Sequence, residues 1–433
     1  TIVAQSTPAI ASAIAIIRLS GKNALPLCRK FFSGFKGEVK PRYAYFGKFA
    51  AGGITDDCIC IYFAAPHSYT GEDMAEIYSH GSVAVTRAII EQLILAGATM
   101  AQRGEFTRRA FENGKMDLTE SEAVIDLINA ESEAEARSAY EQLSGALSEK
   151  IDALQKKTIE LIAGTEAAID YPEEDVEEMT LVSLRDKTSS LYESLCALKD
   201  TYNAGKIMRS GVKVAIVGKP NAGKSMLMNR LLGYERSIVS SSAGTTRDYV
   251  EESFLCGDIR FRLIDTAGIR HTDDNVEEMG VMRAVNIIKQ ADIILSVAEP
   301  GGEFLCADDS RTVLVENKND LCKGAAENAV SISALTGEGL GNLKKVLYEK
   351  ARSLTAAGVG TINNIRHLQA VEEAIRCITD ALKAIDQKLP PDLVSDDLMG
   401  AYRALGSITG ITGSDSIVDE IFSRFWVGKQ EII

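Results

Sequence analysis

Residues Gly218–Ser225 read G-K-P-N-A-G-K-S, and their setting is as informative as the loop itself. Val212–Val217 before them is a short apolar run that reads as a buried strand, and Met226–Leu232 after them has helical spacing. A glycine-rich loop between strand and helix turns successive backbone N–H groups and the helix N-terminus toward one point, where phosphate oxygens can sit. The middle of the chain is therefore constrained to an α/β arrangement. Gly218 and Gly223 permit the tight backbone path, Lys224 brings a point charge to the β and γ phosphates, and Ser225 offers a hydroxyl to Mg²⁺. Asn221, Ala222, Gly223, Lys224, Ser225 and Met226 are the phosphate-contact candidates. The loop by itself indicates a nucleoside triphosphate and no particular base.

Two later motifs specify the base. Asp265-Thr266-Ala267-Gly268 follows the apolar run Ile259–Ile264, and Gly268 can offer its N–H to a γ-phosphate. Asn317-Lys318-Asn319-Asp320 follows the run Thr312–Val315. The Asp320 carboxylate can accept from the ring N–H and exocyclic amine of guanine, a donor pair that adenine lacks. Ser331-Ile332-Ser333-Ala334 after it resembles the loop that backs the guanine, which puts Ser333 and Ala334 among the candidates. Thr245 and Thr246 lie between the phosphate loop and Asp265, where a threonine closes the Mg²⁺ shell only while the γ-phosphate is present. GTP and Mg²⁺ are thus the expected ligands. The position after D-x-x-G, where many small GTPases carry a water-orienting glutamine, is Ile269 here, and no arginine finger is identifiable. Asn221 inside the loop can instead help to hold a monovalent cation beside the phosphates.

The rest of the chain frames this unit. Its 433 residues are too many for one core, and 45% hydrophobic with 25% charged residues is ordinary globular composition. A net charge of -14 argues against a broad nucleic-acid surface, while leaving room for a local basic patch. Eight unevenly spaced cysteines make no disulfide framework, four scattered histidines make no ligand cluster, and a reduced cytoplasmic setting fits best. The uncharged first 17 residues lack a basic start and read as a buried first strand, not a leader. No stretch is long enough to span a bilayer. Residues 1–117 predict an α+β domain with strands over Ala13–Leu19 and Cys58–Phe63 and a helix over Ser82–Leu95. Residues 118–210 are helical in spacing, opening on a capping box formed by Thr119 and Glu122. Residues 211–352 predict the α/β unit, and 353–433 return to helices. The fold expected is multidomain, with an α/β domain inserted into a discontinuous all-helical one.

Within that frame stand A-G-T-T-R-D, D-T-A-G-I-R and N-K-N-D, and upstream P-H-S-Y-T-G-E-D and G-E-F-T-R-R-A-F-E-N-G-K-M-D-L. With these motifs in this order the chain resembles the MnmE (TrmE) family of tRNA-modification GTPases over essentially its whole length. The resemblance implies an N-terminal folate-binding domain, a Ras-like GTPase domain, and a homodimer formed through the N-terminal domains. It implies a tetrahydrofolate derivative, 5-formyl- or 5,10-methylene-tetrahydrofolate, as one-carbon donor. It also implies work with the FAD protein MnmG (GidA), in a heterotetramer or larger complex, to place an aminomethyl or carboxymethylaminomethyl group on C5 of the tRNA wobble uridine. Hydrolysis would be stimulated by K⁺.

Residue by residue, Asn221 matches the K⁺ ligand of the phosphate loop, and Ser240, Ser242 and Thr245 match the segment that completes that site. The whole stretch Ser240, Ser241, Ser242, Ala243, Gly244, Thr245 and Thr246 would lie against the nucleotide. Ser225 and Thr246 match the Mg²⁺ ligands, and Glu277 matches the glutamate that orients the attacking water. Arg18, Glu76, Lys115 and Lys429 match the folate-contacting positions. His80 and Arg108 lie in the same motifs without an assigned role. The family's C-terminal signature Cys-x-Gly-Lys is Trp426-Val427-Gly428-Lys429 here. Tryptophan cannot act as a thiol; a dispensable cysteine, a replacement elsewhere and an altered sequence are all open. Two other readings stand beside this one. One is an RNA-associated switch GTPase of ribosome-assembly type without modification chemistry. The other is a folate-dependent aminomethyltransferase with a vestigial nucleotide domain.

Overall fold

A computed structural model of the chain describes residues 1–170, 177–233, 252–264, 286–322, 328–356, 358, 360–411 and 421–422. It divides into two compact units, Thr1–Ile125 with Gly406–Ile433, and Asp126–Leu405.

The first unit is built on a six-stranded sheet. Its strands are β1 (Ile2–Gln5), β2 (Ser12–Ser20), β3 (Ala44–Ala51), β4 (Ile54–Phe63), β5 (Met74–Gly81) and β6 (Thr99–Met100), in the order β3-β4-β5-β2-β1-β6. Only the β1–β6 pair is parallel. Helices α1 (Ala24–Phe31) and α2 (Val83–Leu95) cover one face. Ile17, Leu19 and Ile77 of the sheet and Ile89 and Leu93 of α2 are at most 1% exposed there. Strand alternation sends Arg18, Glu76 and Tyr78 to the other face. That face also keeps Ile14, Phe46 and Ile59 exposed. Helix α3 (Glu105–Glu112) follows β6.

Helix α4 (Leu118–Asn129) begins with a capping box, but not the expected one. Asp117 Oδ1 accepts from the Glu120 N–H at 2.8 Å, and Glu120 Oε2 accepts from the Asp117 N–H at 2.8 Å. The box is thus Asp117 with Glu120. Thr119 is buried one residue inside the helix and donates its hydroxyl to Asp117 Oδ1. Both pairs satisfy the same three-residue spacing, and the aspartate, one residue before the helix, takes the cap.

In the second unit, α5 (Glu133–Leu143), α6 (Ala146–Asp170), α7 (Glu177–Asp200) and α8 (Tyr202–Ser210) precede a second sheet. Helices α7 and α8 are divided at Thr201. The second sheet holds β7 (Val212–Val217), β8 (Glu252–Cys256), β9 (Ile259–Leu263), β10 (Ile293–Ala298), β11 (Thr312–Glu316) and β12 (Val330–Ser331). Its order is β12-β11-β10-β7-β9-β8, parallel except for the edge strand β8. Helix α9 (Lys224–Gly233) follows β7 and α10 (Leu340–Leu354) follows β12. Their apolar faces close a core of Val214, Leu295, Val315, Leu227, Leu343 and Leu347. Helices α11 (Ile365–Asp386) and α12 (Pro391–Thr409) then resume the helical pattern. The sheet is fastened to α5 by Arg260, which ion-pairs with Glu131 at 2.9 Å and Glu135 at 2.7 Å. Among the described residues no helix is long and apolar enough to cross a membrane.

Candidate functional site

In the second sheet, β7 lies between β10 and β9, so the chain leaves its C-terminal end toward opposite sides. Such a switch point is where parallel α/β sheets open a crevice for ligands. The loop Gly218–Gly223 occupies it. Gly223 has φ 87°, and a Cβ there would stand 2.2 Å from Asn317 Nδ2. A side chain on Gly218 would meet the Val297 carbonyl oxygen at 2.2 Å. The loop is therefore pressed directly onto β10 and the segment after β11, and glycine is the residue that permits it. Asn221 also holds a left-handed conformation, φ 65°. Lys224 folds back so that Nζ donates to the Gly218 and Lys219 carbonyls at 2.7 and 2.8 Å. Its partial burial pushes the ammonium below the usual lysine range. Ser225 and Met226 lie in the first turn of α9, whose N-terminal N–H groups give an anion a favourable field.

Asn317 joins the phosphate and base halves. It is 2% exposed, donates through Nδ2 to the Ala222 carbonyl at 2.9 Å, and accepts through Oδ1 from the Ala334 N–H at 2.9 Å. Asp320 is oriented by Ser333, whose hydroxyl donates to Oδ1 at 2.5 Å and accepts from the Thr336 N–H at 3.1 Å. The other carboxylate oxygen bonds to no described residue, as a guanine-reading group requires. Lys318, at φ 70°, pairs with Glu299 after β10. The structure thus brings Asn221–Met226, Asn317, Lys318, Asp320, Ser333 and Ala334 to one end of one sheet. Sequence reasoning missed Arg230, which donates to the Ala334 and Leu335 carbonyls at 3.1 and 2.5 Å and holds the base loop. It carries no local signal, because its partners lie more than a hundred residues away. Ser240, Ser241, Ser242, Ala243, Gly244, Thr245, Thr246, Asp265, Thr266, Ala267, Gly268, Glu277, Trp426 and Lys429 lie outside the described residues.

A second cluster sits on the first sheet. Arg18 and Glu76 are register partners across β2 and β5, and their side chains ion-pair at 2.8 Å. The Tyr78 hydroxyl donates to the second Glu76 oxygen at 2.8 Å. Burial and that bond push the Tyr78 phenol up to about 12. The Arg18 guanidinium lies 5.4 Å from the Tyr69 ring centroid and 5.7 Å from that of Phe106. Cation, carboxylate and two aromatic rings together suit a planar heterocycle with an N–C–N donor edge. Lys115 donates to the Pro66 carbonyl at 3.2 Å. Tyr69, Tyr78 and Phe106 were not singled out by sequence; Tyr78 was accessible through its two-residue spacing from Glu76 on a strand. Of the motif residues without a role, His80 pairs with Asp56 at 2.6 Å and Arg108 with Glu112 at 2.8 Å.

The MnmE helical domain family matches residues 118–425, and the family of the GTP-binding protein TrmE N-terminus matches residues 1–115. The tRNA modification GTPase MnmE of Aquifex aeolicus is 40% identical over 447 residues, with 99% of each chain covered. That of Clostridioides difficile is 38% identical over 456 residues, again with 99% of each covered. Among solved structures, the G domain of the T. maritima FeoB iron transporter covers 32% of this chain and 98% of its own at 24% identity, with a TM-score of 0.25. That score is too low to support a fold argument. The two family matches and the full-length relatives suffice: the chain belongs to the MnmE (TrmE) family.

Proposed function

We propose that the chain is a GTP hydrolase that acts in tRNA wobble-uridine modification. The observation that carries this is the base end of the nucleotide crevice, where Asn317 ties the phosphate loop to the loop that orients Asp320. Loop N–H groups and Lys224 hold the phosphates, and Asp320 selects guanine. Ser225 and Thr246 would hold Mg²⁺, which supplies charge neutralisation at the phosphates. Asn221, with Ser240, Ser242 and Thr245, would hold K⁺, which would supply positive charge at the phosphates of the kind an arginine finger brings elsewhere. Glu277 would orient the attacking water.

On the first sheet, Arg18, Glu76 and Lys115, with Lys429, would bind a tetrahydrofolate derivative, whose bound chemistry is one-carbon donation. Glu76 is suited to the donor edge of the pterin, and Arg18 and Lys115 to its carbonyl or glutamyl oxygens. A homodimer and the FAD protein MnmG complete the system, in a cytoplasmic setting, and the product is an aminomethyl or carboxymethylaminomethyl uridine. The full-length match to MnmE relatives favours this over a pure RNA-associated switch. The test is reconstitution with MnmG, FAD, GTP, K⁺, 5,10-methylene-tetrahydrofolate, ammonium or glycine, and an unmodified tRNA transcript. Mass spectrometry of the digested tRNA should show the modified uridine, and omission of GTP should abolish it. GTP hydrolysis without modification in the complete mixture would contradict the proposal.

A further inference from the structure

The acidic chain carries one strongly basic stretch. Between residues 29 and 48 stand Arg29, Lys30, Lys36, Lys40, Arg42 and Lys48 against the single acid Glu38, in a protein of net charge -14. All six cations are exposed. Among the described residues none of them ion-pairs with a carboxylate. Arg29 and Arg42 spend one N–H each on the carbonyls of Gly37 and His67. Lys30 lies over the Phe31 ring. Across the β3–β4 pair, the register partner of Lys48 is the acid Asp57.

These residues share one edge of the first unit. They run from the end of α1 through a loop to β3, the edge strand of its sheet. The loop is pinned there: the Ser33 N–H donates to the Lys48 carbonyl at 2.9 Å and the Lys48 N–H to the Ser33 hydroxyl at 2.8 Å. The Lys40 N–H donates to the Tyr45 hydroxyl at 2.8 Å. Phe35, Tyr45 and Tyr43 then stack edge to face in series, with centroids 5.2 and 5.0 Å apart. That series ends in solvent. Tyr43 is 59% exposed, and Phe46, on the strand face it shares with Lys48, is 72% exposed. Exposed rings among unpaired cations, held on a rigid edge, suit unpaired nucleotides: the cations meet phosphates and the rings meet bases.

We infer that the α1–β3 edge is an RNA-docking surface, and that it takes unpaired nucleotides of the tRNA. This rests on tRNA being the substrate, as proposed above. It also accounts for how a chain of net charge -14 engages a polyanion, since the cations act locally and the remaining surface repels. Binding is weak, steeply salt-dependent and confined to one edge.

The test is fluorescence anisotropy of the full-length protein with a labelled tRNA transcript and a labelled RNA duplex of similar length. Three variants are compared: K36E/K40E/R42E, Y43A/F46A, and a charge control on α6 and α7, K156E/K157E/K187E. The patch triple should weaken tRNA binding at least tenfold at low salt and flatten the salt slope by about 2, given roughly 0.7 per single-strand phosphate contact. The aromatic pair should weaken tRNA binding about tenfold, leave the slope unchanged and leave the duplex unaffected. The control should change both little. Equal effects of the patch and control triples would overturn the surface. So would loss of dimer in sedimentation with tRNA affinity intact, because the edge would then serve self-association. If the wild type, active in GTP hydrolysis, binds no tRNA at all, the substrate reading itself falls and takes this surface with it.

Discussion

The two clusters are built from opposite materials. The nucleotide crevice is made of backbone: loop N–H groups, two glycines pressed onto neighbouring segments, and a helix N-terminus, with Asn317 as the clasp. The cluster on the first sheet is made of side chains that β pairing sets opposite each other, Arg18 and Glu76 being 58 residues apart. A backbone site depends on conformations that single side chains can forbid but not replace. A side-chain site depends on a few charges held by a sheet that survives without them. Function should therefore be lost in the first by small steric changes, and in the second by charge removal with little change in stability.

The largest effect expected is at Glu277, the residue proposed to orient the attacking water. Glu277→Ala should lower kcat for GTP by about 10²–10⁴-fold with KM nearly unchanged, the range for loss of a group that aids proton transfer. Steady-state kinetics decide it, and an equal loss in nucleotide affinity would point to disrupted binding instead. Next, Gly223→Ala should weaken GTP binding about a hundredfold, from roughly 1–3 kcal/mol of left-handed strain plus displacement of the Asn317 amide. Titration with a fluorescent GTP analogue reads this, and near-wild-type affinity would break the backbone half of the contrast.

On the first sheet, Arg18→Ala should reduce folate affinity about 10–100-fold, from the roughly 1.5–3 kcal/mol of a charged hydrogen bond. Glu76 keeps the Tyr78 hydroxyl as a donor when Arg18 is removed, and Arg18 itself is 27% exposed, so the thermal midpoint should move only modestly. A large drop in melting temperature would recast Arg18 as a structural residue and erase the distinction.

The smallest effect concerns Asp56. Burial raises its pKa, but the His80 N–H and ring outweigh that, so the carboxyl lies below its ordinary value. A lowered carboxyl contributes stability above its unfolded pKa of about 3.9 and loses it as pH falls through the folded value. Asp56→Asn should therefore melt slightly lower than wild type at pH 7, with the gap closing below about pH 4. A pH-independent gap would assign the difference to packing.

The same contrast explains what was legible in the amino-acid order. Strand β7 is found at its predicted bounds because a contiguous apolar run and a glycine loop encode it locally. Asn317 and Asp320 are legible as a motif, but not the amide bonds that clasp Ala222 to Ala334. Arg18 and Glu76 are single charges in sequence and become a pair only through register, so they were reached by resemblance alone. Thr119 was misassigned as a cap because Asp117 and Glu120 offer the same spacing two residues earlier. The break between α7 and α8 at Thr201 carries no proline or glycine at that point, so no local signal marks it.

The central claim, that the side-chain cluster serves one-carbon chemistry, is tested most directly by calorimetric titration of 5-formyltetrahydrofolate into the full-length protein. Saturable binding is expected, and Arg18→Ala should abolish or greatly weaken it while GTP hydrolysis stays intact. Absence of binding to a well-folded protein would contradict it and leave a GTPase without the modification chemistry.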